Sequence, residues 1–100
     1  MAGKRNKQEN FRKKLIDFAH KHPIVDAISF GREPEENHPV YYFLTSEPDS
    51  NEGLTRAIAG LDVQLSKELG YHFELMRWPV SPDQAHEYPF LGELIWRKNQ

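Results

Sequence analysis

Cysteine is missing altogether from the 100 residues. Its absence excludes a disulfide framework, a thiol nucleophile, an iron–sulfur site and a thiolate zinc site, and it makes the cytosol the default compartment. Long apolar runs are missing too. Residues 1–10 are polar and basic with no apolar stretch behind them, so neither a signal peptide nor a membrane span is expected. Glycine is sparse and scattered: Gly53, Gly60 and Gly70 form no phosphate loop and no dinucleotide fingerprint, which removes nucleotide binding by those two routes. Ser29, Thr45, Ser46, Ser50, Thr55, Ser66 and Ser81 carry hydroxyls, but none stands in a strand–turn–helix elbow flanked by glycines. A hydrolase of that type is not expected.

What is present suits one small globular unit. A hydrophobic fraction of 38% with 12 aromatic residues can close a modest core, and 28% charged residues is an ordinary surface. The net charge of −2 hides a division. Lys4, Arg5, Lys7, Arg12, Lys13 and Lys14 against Glu9 give the first 14 residues +5, which leaves −7 for the rest. We therefore expect a flexible basic arm over residues 1–9 and a single α+β domain over 10–100. Those six cations are the candidate contacts for nucleic acid or another polyanion, held through long-range attraction.

Along the chain, Phe11, Leu15, Ile16, Phe18 and Ala19 recur at helical spacing and predict a helix over residues 10–22, stopped by Pro23. Residues 24–30 read as a strand, with Ile24, Asp26, Ile28 and Phe30 on one face and Val25, Ala27 and Ser29 on the other. The polar stretch 33–39 connects it to a second strand over 40–45, as an antiparallel hairpin. Asp49 and Glu52 have the spacing of a capping box. Leu54, Ile58, Leu61, Leu65 and Leu69 then keep one helical stripe with Leu61 at its centre, and Gly70 stands at the left-handed cap position. Tyr71, Phe73 and Leu75 alternate along a third strand that ends before Pro79. Ser81, Pro82 and Gln84 signal a short helical turn. The tail 90–97 reads equally as a strand or a helix. The fold class is α+β, in the order α-β-β-α-β and then that terminal element: a mixed or antiparallel sheet of three to four strands carrying two main helices.

Few residues suggest chemistry. His20 and His22 point in different directions at a helix end, and His38, His72 and His86 lie in separate elements, so solvent-exposed histidines are the expectation. Glu33, Glu35, Glu36 and His38 crowd the first loop, but an acid-rich hairpin is first a solvated turn, and no glycine-bearing calcium loop accompanies it. Tyr41, Tyr42 and Phe43 must place rings on both sheet faces. With Trp78, Tyr88, Phe90 and Trp96, they serve a core or a protein interface before they serve base stacking.

The run Ile28, Ser29, Phe30, Gly31 and Arg32, followed by a strand, a long helix and the strand 71–78, resembles in its order the core of minimal nucleotidyltransferase domains. The resemblance spans residues 11–97, with 90–97 as the closing element. That family has a Gly–Ser pair after its first strand and two aspartates, one residue apart, on its second, which hold magnesium. Here Arg32 follows Gly31, and Pro39, Val40 and Tyr41 stand where the acidic pair belongs. The resemblance thus implies the fold without the metal clamp that stabilises attacking and leaving oxygens. No catalytic, cofactor-binding or metal-binding residue is assigned. The expected function is a non-enzymatic binding or regulatory module whose partner is a protein, a second copy or nucleic acid, and not a membrane. The alternatives are a nucleic-acid-binding protein led by the basic arm and an enzyme whose site only the fold assembles.

Overall fold

Phe11, Leu15, Phe18 and Ala19 do fall on one buried face of a helix, α1 (Ala2–Lys21), in the computed structural model, which describes residues 2–46, 52–70 and 73–98. Periodicity predicts a start at residue 10, yet the helical backbone reaches back to Ala2. An apolar stripe reports a helix only where the helix has something to pack against, and the first turns carry lysine and arginine instead.

The first strand, β1 (Ala27–Arg32), begins three residues later than the alternation suggests, because residues 22–25 form a turn in which the Val25 N–H donates to the His22 carbonyl at 2.9 Å. Val25 accordingly packs on the helix side and not with Ala27. The second strand, β2 (Pro39–Leu44), pairs with β1 antiparallel from Ala27↔Leu44 to Arg32↔Pro39. The long helix α2 (Glu52–Leu69) is closed by Gly70 at φ +70°; the expected cap Asp49 lies outside the described residues, as do Tyr71 and His72.

The third strand, β3 (Glu74–Trp78), runs parallel to β2, so β2, α2 and β3 form a crossover unit. After it come two short 3₁₀ helices, Pro82–Glu87 and Pro89–Leu91. The ambiguous tail is a strand, β4 (Glu93–Arg97), antiparallel to β1. The result is a four-stranded mixed sheet in the order β3-β2-β1-β4. No helix among the described residues is long and apolar enough to cross a membrane.

Strand alternation divides the core in two. Ile28, Tyr41, Phe43 and Leu75 point to the side covered by α1 and α2, where Phe11, Leu15, Leu54, Ile58 and Leu65 meet them. Ala27, Val40, Tyr42 and Leu44 point to the side covered by Val80, Ala85, Phe90 and Leu91. The three consecutive aromatics therefore split as expected, and all three are wholly buried. Leu61, central in the α2 stripe, is only partly buried at its rim, whereas Leu65 is 1% exposed.

Ser29 is the exception in this packing. Its Oγ is buried with no hydrogen-bond partner. An unsatisfied hydroxyl costs about 1–3 kcal/mol, so Ser29→Ala is expected to raise stability by about 1 kcal/mol in a urea melt. A clear loss would mean that the hydroxyl has a partner.

Candidate functional site

The sheet end carrying the β1–β2 hairpin gathers most of the chemistry. Pro34, Glu35, Glu36 and Asn37 turn the chain, with Asn37 at φ +61°, a left-handed conformation that asparagine adopts more readily than most residues. The Asn37 N–H donates to the Glu33 carbonyl at 2.8 Å, and the Glu33 N–H to the His38 carbonyl at 2.9 Å. The Glu33 carboxylate accepts the Glu36 N–H and, at 3.1 Å, the Glu35 N–H. Those backbone donors, Glu36 before Glu35, hold its carboxyl below the usual carboxylate range, and His38 adds a smaller pull. Arg32 Nη1 crosses the turn to the Asn37 carbonyl at 3.0 Å.

His38 departs from the exposed histidine that the sequence suggests. The β2–β3 register sets Val40 opposite Glu74, which brings a carboxylate 36 positions away to the imidazole: Nε2 lies 2.6 Å from Glu74 Oε1, and Nδ1 lies 3.4 Å from Glu36 Oε2. Glu33, Glu36 and His38 present donor atoms within 4.8 Å of one another, the spacing a cation would ask for. Both Glu33 oxygens already serve the turn and His38 Nε2 serves Glu74, so the geometry is that of a hydrogen-bonded cluster. Glu35 stays at the exposed tip.

Beside the hairpin lies an open cleft of about 630 Å³ between the end of β1 and residues 89–93. Phe30 and Phe90 with Pro34, Pro39 and Pro89 form its apolar walls, while Arg32, Asn37, Glu33 and Glu93 supply polar groups of both signs. The walls are held from behind. Phe90 packs edge-on against Trp78 at 5.0 Å and Tyr42 at 5.7 Å, and Phe30 stacks on Tyr41 at 4.4 Å. The buried Tyr42 hydroxyl donates to the Arg32 carbonyl at 2.8 Å; desolvation first, then Glu33 and Glu74, push its pKa up, so it remains a donor. The lining residues include no hydroxyl, thiol or amine nucleophile.

The six cations singled out in the sequence do not share one role. Lys4, Arg5 and Lys7 lie on the first turns of α1. Arg12 is drawn against the core, its guanidinium 5.4 Å from the Phe30 ring centre and its Nε donating to the Tyr41 hydroxyl at 3.0 Å. Lys13 is exposed, and Lys14 reaches Glu68 on α2 at 3.2 Å. Of the other histidines, His20 and His86 are exposed, while His22 stacks on Phe18 at 4.2 Å. Sequence reasoning misses Glu74, Glu93 and Phe90 as neighbours of the hairpin. The one local signal was Gly31, since a lone glycine in a strand marks a close backbone approach. Compared with protein families, curated proteins and solved structures, the chain matches none.

Proposed function

We propose that this chain is a cytosolic, non-enzymatic binding module that receives its ligand in the hairpin-end cleft. The observation that carries the reading is the lining itself: apolar rings and prolines flanked by donors and acceptors, on walls held rigid by the aromatic layers behind them. Such a surface suits a short peptide-like ligand, with an apolar side chain against Phe30 and Phe90 and main-chain groups toward Arg32, Asn37 and Glu93. Glu33 and one Arg32 nitrogen are committed to the turn, while Glu93 is exposed at the cleft's far side, an arrangement that fits recognition better than proton transfer.

A nucleotidyltransferase-like ancestry is compatible with this reading. The element order agrees with it, and the second-strand positions that would hold magnesium are filled by Val40 and Tyr41, both wholly buried. Polyanion binding remains a second reading, supported by the run of Lys4, Arg5, Lys7 and Lys13 along one helix. Four phosphate contacts would give a logarithmic salt slope of about −3.6 on duplex DNA.

The test is a titration of isotope-labelled protein with short peptides rich in proline and aromatic residues, followed by amide shifts. Saturable shifts confined to Gly31, Asn37 and Gly92 are expected, together with no covalent label from nucleotide and magnesium. Peptide-induced shifts elsewhere, or robust nucleotide labelling, would sink the reading.

A further inference from the structure

The two margins of the sheet differ. At β4 the ladder slips between Ile28 and Ser29, whereas β3 follows β2 without a break from Val40↔Glu74 to Leu44↔Trp78. Among the described residues no strand lies outside β3. The Trp78 carbonyl accepts the Thr45 N–H at 3.1 Å, so it points toward β2. Peptide groups alternate in direction along a strand, which turns those of Leu75 and Arg77 the other way, to the outer margin.

Beside that margin, α2 and β3 enclose a cleft of about 430 Å³. Thr55, Ile58, Ala59 and Asp62, at the three- and four-residue spacing of one helix flank, form one wall, and Leu75, Met76 and Arg77 form the other. Ile58 and Leu75 are buried, while Thr55 and Ala59 are exposed. Because α2 carries the chain from the end of β2 back to the start of β3, it runs against both strands, with Asp62 toward the Leu75 end and Thr55 toward the Arg77 end.

We propose that the outer margin of β3 receives β3 of a second copy of this chain, antiparallel, on a two-fold axis through Met76. The margin is self-complementary about that point. With Met76 opposite itself, Leu75 of each copy stands opposite Arg77 of the other, and each such pair exchanges both of its N–H···O=C bonds. The charges agree with this register. The second copy's Arg77 enters opposite Leu75, at the end of the cleft that carries Asp62, and its aliphatic stem covers Ile58 and Ala59. The same contact recurs across the axis. A parallel, in-register copy would instead set Arg77 beside Arg77. Glu74, the other charge on β3, is held within the chain by His38 at 2.6 Å. The surface shares no lining residue with the hairpin-end cleft, so the two readings stand or fall separately.

Sedimentation equilibrium of the full chain, from about 1 to 200 μM, is expected to show a mass rising toward twice 11.7 kDa. A chain without cysteine makes a placed thiol a clean reporter of register. At the axis, residue 76 faces itself at a non-hydrogen-bonded position, where Cα atoms stand about 4.5 Å apart, within reach of a disulfide. Met76→Cys is therefore expected to link into a covalent dimer under mild oxidation at least about tenfold faster than Lys13→Cys, whose site is exposed on α1. Asp62→Arg and Arg77→Asp are each expected to weaken self-association about fivefold. An equimolar mixture of the two should regain it, because each chain then offers the other an unlike charge at both ends of the contact, a rescue that effects within one chain cannot produce. A chain that stays monomeric over the whole range, as it would if the margin took a strand of another protein, overturns the proposal. So does a dimer that Met76→Cys links no faster than Lys13→Cys, or one that mixing the two charge variants does not restore.

Discussion

Gly31→Ala and Gly92→Ala are each expected to lower stability by at least about 4 kcal/mol, enough to unfold much of a domain whose total is of order 5–15 kcal/mol. The chain crosses itself here, backbone on backbone. A methyl group on residue 31 would stand 2.0 Å from the Phe90 carbonyl oxygen and 2.5 Å from the Leu91 carbonyl carbon. One on residue 92 would stand 2.1 Å from the Phe30 carbonyl oxygen and 2.8 Å from the Gly31 Cα. Overpacking against flexible side chains costs about 1–3 kcal/mol. Here the obstacles are main-chain atoms fixed by the β1–β4 ladder, which pairs Phe30 with Glu93. Gly92 also sits at φ +71°, which adds about 1–2 kcal/mol for any residue with a Cβ. Gly60→Ala on α2 is the control: a methyl there has nothing within 4 Å, and it should gain about 0.5–1 kcal/mol. Urea melts of the three variants decide the matter, and a loss under about 1 kcal/mol at residue 31 would mean that the crossing is loose.

Phe11→Ala is expected to cost about 3–5 kcal/mol, whereas deletion of residues 2–8 should leave the melting midpoint almost unchanged. Phe11 is 1% exposed and touches Tyr41 and Phe73, with ring centres 5.3 and 5.2 Å away. Among the α1 residues whose burial is described it is the first buried one; Glu9 and Asn10 before it are exposed. Thermal melts separate the two changes. Should the truncated chain melt as early as Phe11→Ala, the basic turns contribute to folding. The same truncated protein, titrated with heparin at low salt, tests the polyanion reading, which fails if the affinity is undiminished.

Much of the fold was legible because it rests on periodicity. The α2 stripe, the β1–β2 hairpin and the split of Tyr41, Tyr42 and Phe43 between two faces all follow from counting every second or every third and fourth residue. Boundaries were less legible where a tertiary partner decides them. Val25 alternates as though in a strand, yet a turn takes it to the helix side, and Leu61 is central in the stripe but only partly buried against the core. The tail 90–97 was undecidable because three apolar residues suit either element, and pairing with β1 settles it. The site was the least legible part. His38 and Glu74 meet only through the parallel register of β2 and β3, which no local pattern encodes. Arg12 reads as one cation among six until its aromatic neighbours are known.

One irregularity in the sheet bears on how the molecule behaves in a crowd. Opposite β1, the register of β4 slips so that Ile28 faces Trp96 while Ser29 faces Leu94, leaving Ile95 as an extra residue. This strand forms one margin of the sheet, and an edge strand offers its unpaired N–H and C=O groups to another chain, here along Leu94, Ile95 and Trp96. The extra residue interrupts the regular spacing of the outward-facing amides and increases the local twist, so a second copy laid alongside would find its hydrogen bonds out of step within two residues. The kink thus adds a backbone irregularity to an edge already flanked by the charged Glu93 and Arg97, and both work against edge-to-edge pairing of copies.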